Sequence, residues 1–185
     1  MKINFGCGNR HIEGFLNVDK VPECNPDQVV DMEIFPWPIA DNSVEEVKLI
    51  HVLEHVGATT DCHMQIIQEL YRICRPGAEV QIIVPHPRSE NYLGDPTHVR
   101  PVSAELFNLY SKSFCEQAIA KGWASTPLAL YWKVDFSIKK ITHHLMPLWL
   151  ERYNNKQISD SDITFAVNTY NNVVNEIEIE LVINK

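Results

Sequence analysis

Two histidines and one glutamate lie close together in the segment "IHVLEHV", residues 50–56. His51, Glu54 and His55 follow the order H-x-x-E-H, in which two histidines one helical turn apart hold a zinc ion beside a catalytic glutamate. Taken alone, the segment is compatible with a zinc hydrolase. That interpretation requires the segment to be helical, and it requires a third protein ligand from elsewhere in the chain.

A glycine turn and two carboxylates offer a different chemistry nearer the amino terminus. Gly6, Cys7 and Gly8 follow an apolar run, and glycine lets a backbone turn tightly and approach a ligand closely. Asp19 ends the next apolar run, where a carboxylate can accept both hydroxyls of a ribose. Asp31 adds a second carboxylate after a third run. Together these residues favour a nucleotide-type site.

These side chains are expected at the carboxyl ends of strands. Short apolar runs predict strands over residues 2–5, 15–19 and 28–32. Open α/β sheets bind their ligands at the carboxyl ends of parallel strands. Residues 45–51 alternate as a fourth strand would, but they also fit a helical spacing, so periodicity leaves this segment open.

A helix between two strands indicates a parallel sheet. Apolar residues recur every three or four positions from Thr60 to Arg75, and "RPG" at 75–77 ends that helix. The run "AEVQIIVP" at 78–85 is a strong strand, so strand, helix and strand follow one another as in a wound parallel sheet. Further on we predict a polar loop, a helix and two more strands, at 86–101, 103–111, 128–137 and 176–183.

Five motifs carry a resemblance to a known family: "INFGCGN", "FLNVD", "VVDMEIFPWPIADNSVEEVKLIHVLEHV", "IIQELYRICRPGAEVQIIVPHP" and "DPTHVRP". As a set they resemble the class I S-adenosylmethionine-dependent methyltransferases, in particular the small type-11-like members, over about residues 2–112. The resemblance implies an α/β fold, a Rossmann-like methyltransferase sandwich whose mostly parallel sheet has helices on both faces and an antiparallel edge strand. The final strand is the one expected to be antiparallel. The chain length indicates a single domain over residues 1–185.

The resemblance also implies a site for S-adenosylmethionine as cofactor. Its expected residues are Gly6, Cys7 and Gly8 beside the methionine part, Asp19 at the ribose, Asp31 and Met32 at the adenine, and His51 near the sulfonium. The chain departs from the family in two places. Asn4 replaces a common acidic residue, and only ten residues separate Gly8 from Asp19, so we expect a first crossover helix of a turn or two at most.

The reaction implied is methyl transfer to an O or N atom of a small-molecule or glycan-type acceptor. A protein mainly aligns such an acceptor and, for a hydroxyl, removes a proton. Histidine suits that task because its ordinary pKa is about 6.5. We predict His55 and His98 as catalytic bases, and His86 is a third histidine at the sheet edge. Candidates for the acceptor pocket are the 86–101 loop, an insertion at 139–175, and the side chains of Trp37, Tyr92 and Arg100.

Other classes of function stay open at this point. A zinc hydrolase can take Glu105 or Glu116 as its third ligand, and His86, Asp95 and His98 are suitable types for another metal site without a recognised spacing. Zinc chemistry leaves the glycine turn and both aspartates unexplained, so we expect no metal. A nicotinamide dehydrogenase is disfavoured because G-x-G-x-x-G is incomplete. The main alternative is a non-catalytic protein of the same fold that binds the cofactor or a partner chain.

The composition of the whole chain narrows the partners. The formal charge of -8 disfavours nucleic acid, because phosphate binders need a basic surface. No run approaches the roughly 20 apolar residues that cross a bilayer, and the amino terminus lacks a signal-peptide profile. We therefore expect a cytoplasmic protein without a membrane partner, with its five cysteines reduced. The sequence does not predict an oligomeric state.

Overall fold

Seven strands form one sheet in the structure, a computed structural model that describes residues 1–185. The strands are β1 (Lys2–Phe5), β2 (Leu16–Asp19), β3 (Gln28–Val29), β4 (Val44–Ile50), β5 (Cys74–Pro85), β6 (Phe136–Leu145) and β7 (Val174–Ile183). They lie in the order β3-β2-β1-β4-β5-β7-β6. The amino-terminal strands are the shortest, so the sheet widens from β3 towards β6.

Six α-helices and three 3₁₀ helices connect the strands. The α-helices are α1 (Thr60–Ile73), α2 (Glu90–Leu93), α3 (Lys112–Ala120), α4 (Leu128–Trp132), α5 (Pro147–Asn154) and α6 (Asp160–Thr169). The 3₁₀ helices are Pro22–Cys24, Leu53–His55 and Ala104–Tyr110. None of the helices combines the length and the apolar composition needed to cross a membrane. All α-helices thus follow β4, and the first four strands are joined by turns and one 3₁₀ helix.

The strand directions confirm a Rossmann-like sheet. β1 pairs in parallel with β2 and β4, β2 with β3, and β4 with β5. β7 is antiparallel to both β5 and β6. The prediction of an antiparallel final strand is confirmed, and this strand lies one place in from the edge, which β6 forms. The carboxyl ends of β1, β2 and β4 meet at one edge of the sheet, which is where the functional residues were predicted.

The segment that periodicity left open forms a strand. β4 lies between β1 and β5, and its Val47 and Leu49 align with Ile3 and Phe5 of β1. All four side chains are fully buried. Pairing on both sides and burial of alternate residues therefore favour the strand over a helix of the same sequence.

Three local predictions are wrong in part. The strand expected at 128–137 begins only at Phe136, because Leu128–Trp132 forms α4. Ala129 and Trp132, three positions apart, are both buried, and that spacing suits one face of a helix. The helix expected at 103–111 is a 3₁₀ helix over Ala104–Tyr110 rather than an α-helix. Residues 139–145 of the predicted insertion form part of β6 instead.

Helix α1 packs on one face of the sheet beside the amino-terminal strands. Phe5, Leu49 and Ile82 point to this face, and they belong to the same buried cluster as Ile67 and Leu70 of α1. The helices that the family resemblance implies on the other face are missing here, since the connections from β1 to β3 contain no α-helix. The chain is too short between these strands to form them.

The opposite face of the sheet carries charged side chains that pair with one another. Lys2 Nζ lies 2.7 Å from Glu46 Oε2, and Lys140 Nζ lies 3.8 Å from Glu180 Oε1. These residues are half-buried or exposed, so each pair contributes little to stability. Their main effect is to keep the uncovered face polar, as a solvated sheet face requires.

Side-chain hydrogen bonds replace a first crossover helix. Asn17 Oδ1 accepts from Ile12 N at 2.8 Å and from Asn4 Nδ2 at 3.1 Å. Asn4 Nδ2 also donates to Arg10 O at 2.9 Å, and Asp27 Oδ2 accepts from Asn17 N at 2.7 Å. These bonds satisfy backbone groups that a helix would satisfy by itself. The short first crossover is confirmed, and it contains turns only.

Candidate functional site

An open cleft of about 610 Å³ lies at the carboxyl ends of β1, β2 and β4. Its lining residues are Gly6, Asp19, Lys20, Val30, Asp31, Met32, His51, Val52, His55 and Val56. The cleft therefore brings together five of the seven residues predicted for the cofactor, whereas Cys7 and Gly8 lie in the adjoining turn.

Gly6 forms the turn that leads from β1 into the cleft. Its φ is +60°, and a Cβ at this position would lie 2.5 Å from Val52 Cγ2. Both the backbone conformation and the available space therefore require glycine. The neighbouring Cys7 is buried, and burial raises the pKa of its thiol. Cys7 thus contributes packing beneath the turn rather than a reactive group.

Asp19 fastens the glycine turn to the end of β2. Its Oδ2 accepts from Gly8 N at 2.8 Å, and its Oδ1 accepts from Val21 N at 2.9 Å. Each carboxylate oxygen has two lone pairs, so both oxygens keep one for a ligand. The side chain is half-buried at the cleft, and Asp19 is therefore oriented by the backbone with capacity left for two hydroxyls.

Asp31 and Met32 form the far wall of the cleft. Asp31 Oδ1 accepts from Glu33 N at 2.9 Å, and Met32 O accepts from Trp37 Nε1 at 3.0 Å. Trp37 is buried, with its ring centroid 4.9 Å from that of Phe5. The prediction that Trp37 lines an acceptor pocket is therefore wrong, because its ring packs in the core and its ring nitrogen supports the backbone of the cleft wall.

His51 directly follows β4 and has an unusual backbone conformation, with a φ of +56°. Its Nδ1 lies 3.3 Å from Glu54 Oε1, and its Nε2 lies 3.2 Å from Glu176 Oε1. The hydrogen bond with Glu54 raises the pKa of His51, against the opposing effect of burial. Two carboxylates thus favour the protonated imidazole. Non-glycine residues with positive φ are often found at functional sites, where surrounding contacts maintain the strain.

The H-x-x-E-H segment does not have the geometry of a zinc protease. His51 follows a strand and His55 ends the 3₁₀ helix Leu53–His55, so no α-helix holds the two histidines one turn apart. Glu105 and Glu116 are exposed and do not join the histidines in any group of potential metal ligands. The zinc hydrolase interpretation of this segment is therefore wrong.

A polar pocket adjoins the cleft. Its lining residues are His51, Glu54, His55, Pro85, Asn91, Asp95, His98 and Glu176, and it shares His51 and His55 with the cleft. The 86–101 loop supplies three of these residues. Residues 139–175 supply none to either the cleft or the pocket. Participation of that segment in acceptor binding stays a prediction.

His55 and His98 lie side by side in this pocket, with ring centroids 4.7 Å apart. His55 Nδ1 lies 3.0 Å from Thr97 Oγ1, which donates to Asp95 Oδ1 at 2.6 Å. His98 Nδ1 lies 2.7 Å from Tyr92 O, and the rings of Tyr92 and His98 stack at 5.1 Å. Both predicted bases therefore belong to one cluster, and Tyr92 contributes to it by holding His98.

Two other predicted residues lie outside the pocket. Arg100 donates through Nε and Nη2 to Gly57 O, at 3.2 and 2.9 Å, so its role is to hold the loop. His86 Nδ1 accepts from Arg88 N, and burial lowers the pKa of the His86 ring. Since His86 lines neither the cleft nor the pocket, the metal site suggested for His86, Asp95 and His98 is wrong.

Sequence reasoning missed several lining residues. Lys20 and Val30 directly adjoin Asp19 and Asp31 in the sequence, so their position was a usable signal. Asn91 and Glu176 enter the pocket from distant parts of the chain, and no local pattern marks them. Glu54 was noted only as the centre of the zinc motif.

Comparisons with known proteins identify the fold through structure alone. No family model and no curated protein matches the sequence. Among solved structures, a SAM-dependent methyltransferase from Archaeoglobus fulgidus superposes with a TM-score of 0.60 at 15% identity, covering 98% of this chain and 85% of that one. One from Methanosarcina mazei gives a TM-score of 0.55 at 11% identity, covering 99% and 92%.

A third similar structure is an S-adenosylmethionine-dependent methyltransferase from Mesorhizobium loti. Its TM-score is 0.52 at 12% identity, covering 98% of this chain and 89% of that one. All three likenesses extend over nearly the whole chain. The protein therefore has the fold of the class I S-adenosylmethionine-dependent methyltransferases. Identities this low show the fold alone, so both the activity and the acceptor are inferred from the site.

Proposed function

We propose that the protein is an S-adenosylmethionine-dependent methyltransferase that methylates an O or N atom of a small-molecule or glycan-type acceptor. The observation that carries this proposal is the cleft at the ends of β1, β2 and β4. It collects a glycine turn and two aspartates from separate connections, and a polar pocket adjoins it. The fold alone does not require these residue types at these positions.

The residues of the cleft suit S-adenosylmethionine by their chemistry. Gly6 leaves room for the methionine part, and Asp19 keeps lone pairs for two ribose hydroxyls. Asp31 offers a carboxylate to the exocyclic amine of adenine, and Met32 offers apolar surface to its ring. When bound, this cofactor supplies a methyl group activated on a sulfonium. Carboxylates close to the cleft suit that positive charge, and Glu54 and Glu176 offset the charge of His51.

The polar pocket is the proposed acceptor site. Carboxylate, amide and imidazole groups line it, and such a lining fits an acceptor with hydroxyl or amine groups better than an apolar one. His55 lines both the cleft and the pocket, so an acceptor beside His55 faces the proposed donor. The Nδ1 atoms of His55 and His98 are engaged, which leaves each Nε2 as the nitrogen able to take a proton.

Calorimetric titration with S-adenosylhomocysteine tests the proposed cofactor. We expect saturable binding by the wild-type protein and a loss of about 10-fold to 100-fold in affinity for Asp19→Asn, because a hydrogen bond to a charged group contributes about 1.5–3 kcal/mol. Asp41→Asn is the matched control, since Asp41 is an exposed aspartate paired with Arg72. Asp19 also binds two backbone amides, so circular dichroism must show that its variant is folded.

Two results would count against this proposal. Absence of saturable binding of both S-adenosylmethionine and S-adenosylhomocysteine would exclude the cofactor. Equal affinities for the Asp19 and Asp41 variants would remove Asp19 from the site. Release of S-adenosylhomocysteine over a panel of hydroxyl and amine acceptors then distinguishes a methyltransferase from a protein that only binds the cofactor.

A further inference from the structure

Glu54 is a buried carboxylate with one unsatisfied oxygen. The residue is 1% exposed, and its Oε1 lies 3.3 Å from His51 Nδ1. Its Oε2 is buried and has no hydrogen-bond partner in the protein. Leaving a buried polar atom unpaired costs about 1–3 kcal/mol, and more for a charged group. An oxygen of this kind at a polar pocket indicates a ligand that the protein binds there.

Two imidazoles lie beside this oxygen. Glu54, His55 and His98 each offer one potential ligand atom, and these atoms all lie within 4.8 Å of one another. A backbone carbonyl only accepts, so His98 Nδ1 must donate its proton to Tyr92 O. The Thr97 hydroxyl donates to Asp95, so it accepts from His55 Nδ1. In its neutral form, each ring therefore keeps an Nε2 lone pair for a ligand.

We propose that Glu54, His55 and His98 bind a divalent transition-metal ion. Two imidazole nitrogens and one carboxylate oxygen suit zinc, iron, cobalt or manganese, and three protein ligands leave coordination positions open. Ligands at about 2.1 Å from a tetrahedral ion lie about 3.4 Å apart. The three potential ligand atoms lie within 4.8 Å of one another, so each pair has to approach by at most about 1.4 Å to bind the ion.

The groups behind the three ligands already have the arrangement that a metal site needs. His51 donates to Glu54 Oε1 and so directs Oε2 to the ion. Thr97 orients His55, and Tyr92 O orients His98. Such outer contacts fix the tautomer and the direction of each ligand. In this arrangement His51 is a positioning residue, whereas in the zinc-protease pattern it would be a ligand. The proposed site also replaces the expectation from the sequence that no metal is bound.

The metal site adds a means of activating the acceptor to the proposed methyl transfer, and this role rests on the proposed function. An acceptor hydroxyl that takes an open coordination position loses its proton to solvent more readily. An oxygen electron pair then forms the bond to the methyl carbon, while the carbon–sulfur bond breaks and its electrons stay on sulfur. The products are a methyl ether, a neutral thioether and the released proton. The histidine lone pairs then hold the ion instead of accepting a proton.

Titration of the metal-free protein with Co²⁺, without cofactor, tests the site directly. We expect one ion per chain by equilibrium dialysis, with visible absorption bands typical of nitrogen-coordinated cobalt. Glu54→Gln and His98→Asn should each weaken binding by about 10-fold or more. Glu176→Gln is the matched control. It removes a carboxylate that contacts His51 in the same pocket, and it should change cobalt affinity only slightly.

Each other outcome has a defined meaning. Absence of saturable Co²⁺ binding by the wild-type protein overturns the metal site, and so does equal weakening by the Glu54 and Glu176 variants, which would show diffuse attraction by negative charge. Melting temperatures without metal confirm that each variant is folded. Binding of S-adenosylhomocysteine is measured separately, so a protein that binds it but not Co²⁺ refutes the metal site alone, and the reverse result refutes the proposed cofactor alone.

Discussion

The cleft and the polar pocket share His51 and His55, yet the chain builds them in different ways. The cleft takes most of its lining from residues that directly follow β1, β2, β3 and β4. The pocket joins side chains from three distant parts of the chain, namely the segment after β4, the loop after β5 and the start of β7. Strand ends are thus enough to position the cleft, whereas the pocket depends on long-range contacts.

Those long-range contacts are made mainly by backbone groups. Val99 N and Arg100 N both donate to Glu54 O, at 2.8 and 3.4 Å. The Arg100 side chain donates to Gly57 O, so the 86–101 loop is tied to the segment after β4 at two points. These contacts hold His98 beside His55, and the only helix within the loop is the short α2. This difference between the two regions leads to predictions that separate them.

The largest effect is expected in the cleft, at Gly6. Gly6→Ala introduces a methyl group 2.5 Å from Val52 Cγ2 in a backbone conformation with positive φ, and we expect a loss of about 4 kcal/mol in stability. Cofactor binding should be abolished, because both Gly6 and Val52 line the cleft. Urea denaturation and calorimetry measure the two effects.

Gly77→Ala is the control for Gly6. Gly77 also has a positive φ, of +75°, but open space surrounds its Cβ position. Its substitution should cost only about 1–2 kcal/mol and leave cofactor affinity unchanged. If the two variants lose equal stability and both bind the cofactor, then close packing at Gly6 does not shape the cleft.

The second-largest effect is expected on stability at His63, which supports the segment that lines the pocket, and it depends on pH. His63 in α1 is 3% exposed, its Nε2 lies 2.6 Å from Tyr110 Oη, and its Nδ1 has no partner. Burial lowers the pKa of His63 to about 4. The segment after β4, which lines the pocket, packs closely against this residue. A Cβ at Gly57 in that segment would lie 2.9 Å from His63 Cα.

The direction of the pH effect follows from the pKa of His63 in the unfolded chain and in the folded chain. The unfolded chain binds the His63 proton near pH 6.5 and the folded chain only near pH 4. Stability is therefore complete above pH 6.5, and roughly 3 kcal/mol is lost as the pH falls to about 4. His63→Gln should lack this part of the loss in urea titrations at pH 7, 5.5 and 4.5. The exposed His144→Gln variant should keep the part of the loss that is due to His63, and identical profiles for all three proteins would contradict the assignment.

A third prediction breaks the cleft and spares the pocket. Asn17→Ala removes the acceptor for Ile12 N and the donor to Asp27 in the turn that replaces the first helix. We expect a loss of about 2 kcal/mol, since buried partners are left unsatisfied, and weaker cofactor binding through the displaced Asp19. Asn168→Ala, whose exposed amide donates only to Thr164 O, should stay within about 0.5 kcal/mol of wild type. Equal losses would show that the turn does not need the Asn17 network.

The same contrast explains what the sequence could predict. The strands of the cleft are short apolar runs bounded by Gly6, Asp19 and Asp31, and that pattern requires only local information. The parallel sheet, the glycine turn and the two aspartates at the strand ends followed from it, whereas the antiparallel strand and the other predicted cofactor residues followed from the family resemblance. A shortened first crossover was visible in the spacing of Gly8 and Asp19, but the role of Asn17 and Asp27 was not, because it depends on which turns face each other.

The pocket was predictable only in its residue types. His55 and His98 were chosen as histidines near the sheet edge, and their ring contact arises from the bonds between Glu54 O and the loop. Trp37 was misassigned because an aromatic side chain has the same signature in a core as at a ligand. The prediction of a strand at 128–137 was wrong because tertiary packing buries Trp132 as part of α4.

The smallest effect on stability is expected at Thr97. Its substitution tests whether a long-range side-chain contact helps to organise the pocket. Thr97→Val keeps the shape of the side chain but removes the hydroxyl between His55 and Asp95. Thr97 is exposed, so we expect a loss of only about 0.5 kcal/mol. The His55 ring, however, should lose its preference for a proton on Nδ1, which nitrogen-15 NMR of the imidazole reports directly. The His98 ring keeps its bond to Tyr92 O and serves as the internal control. If the His55 tautomer is unchanged in the variant, then the long-range contact at Thr97 does not orient the ring, and the pocket is organised by its backbone bonds alone.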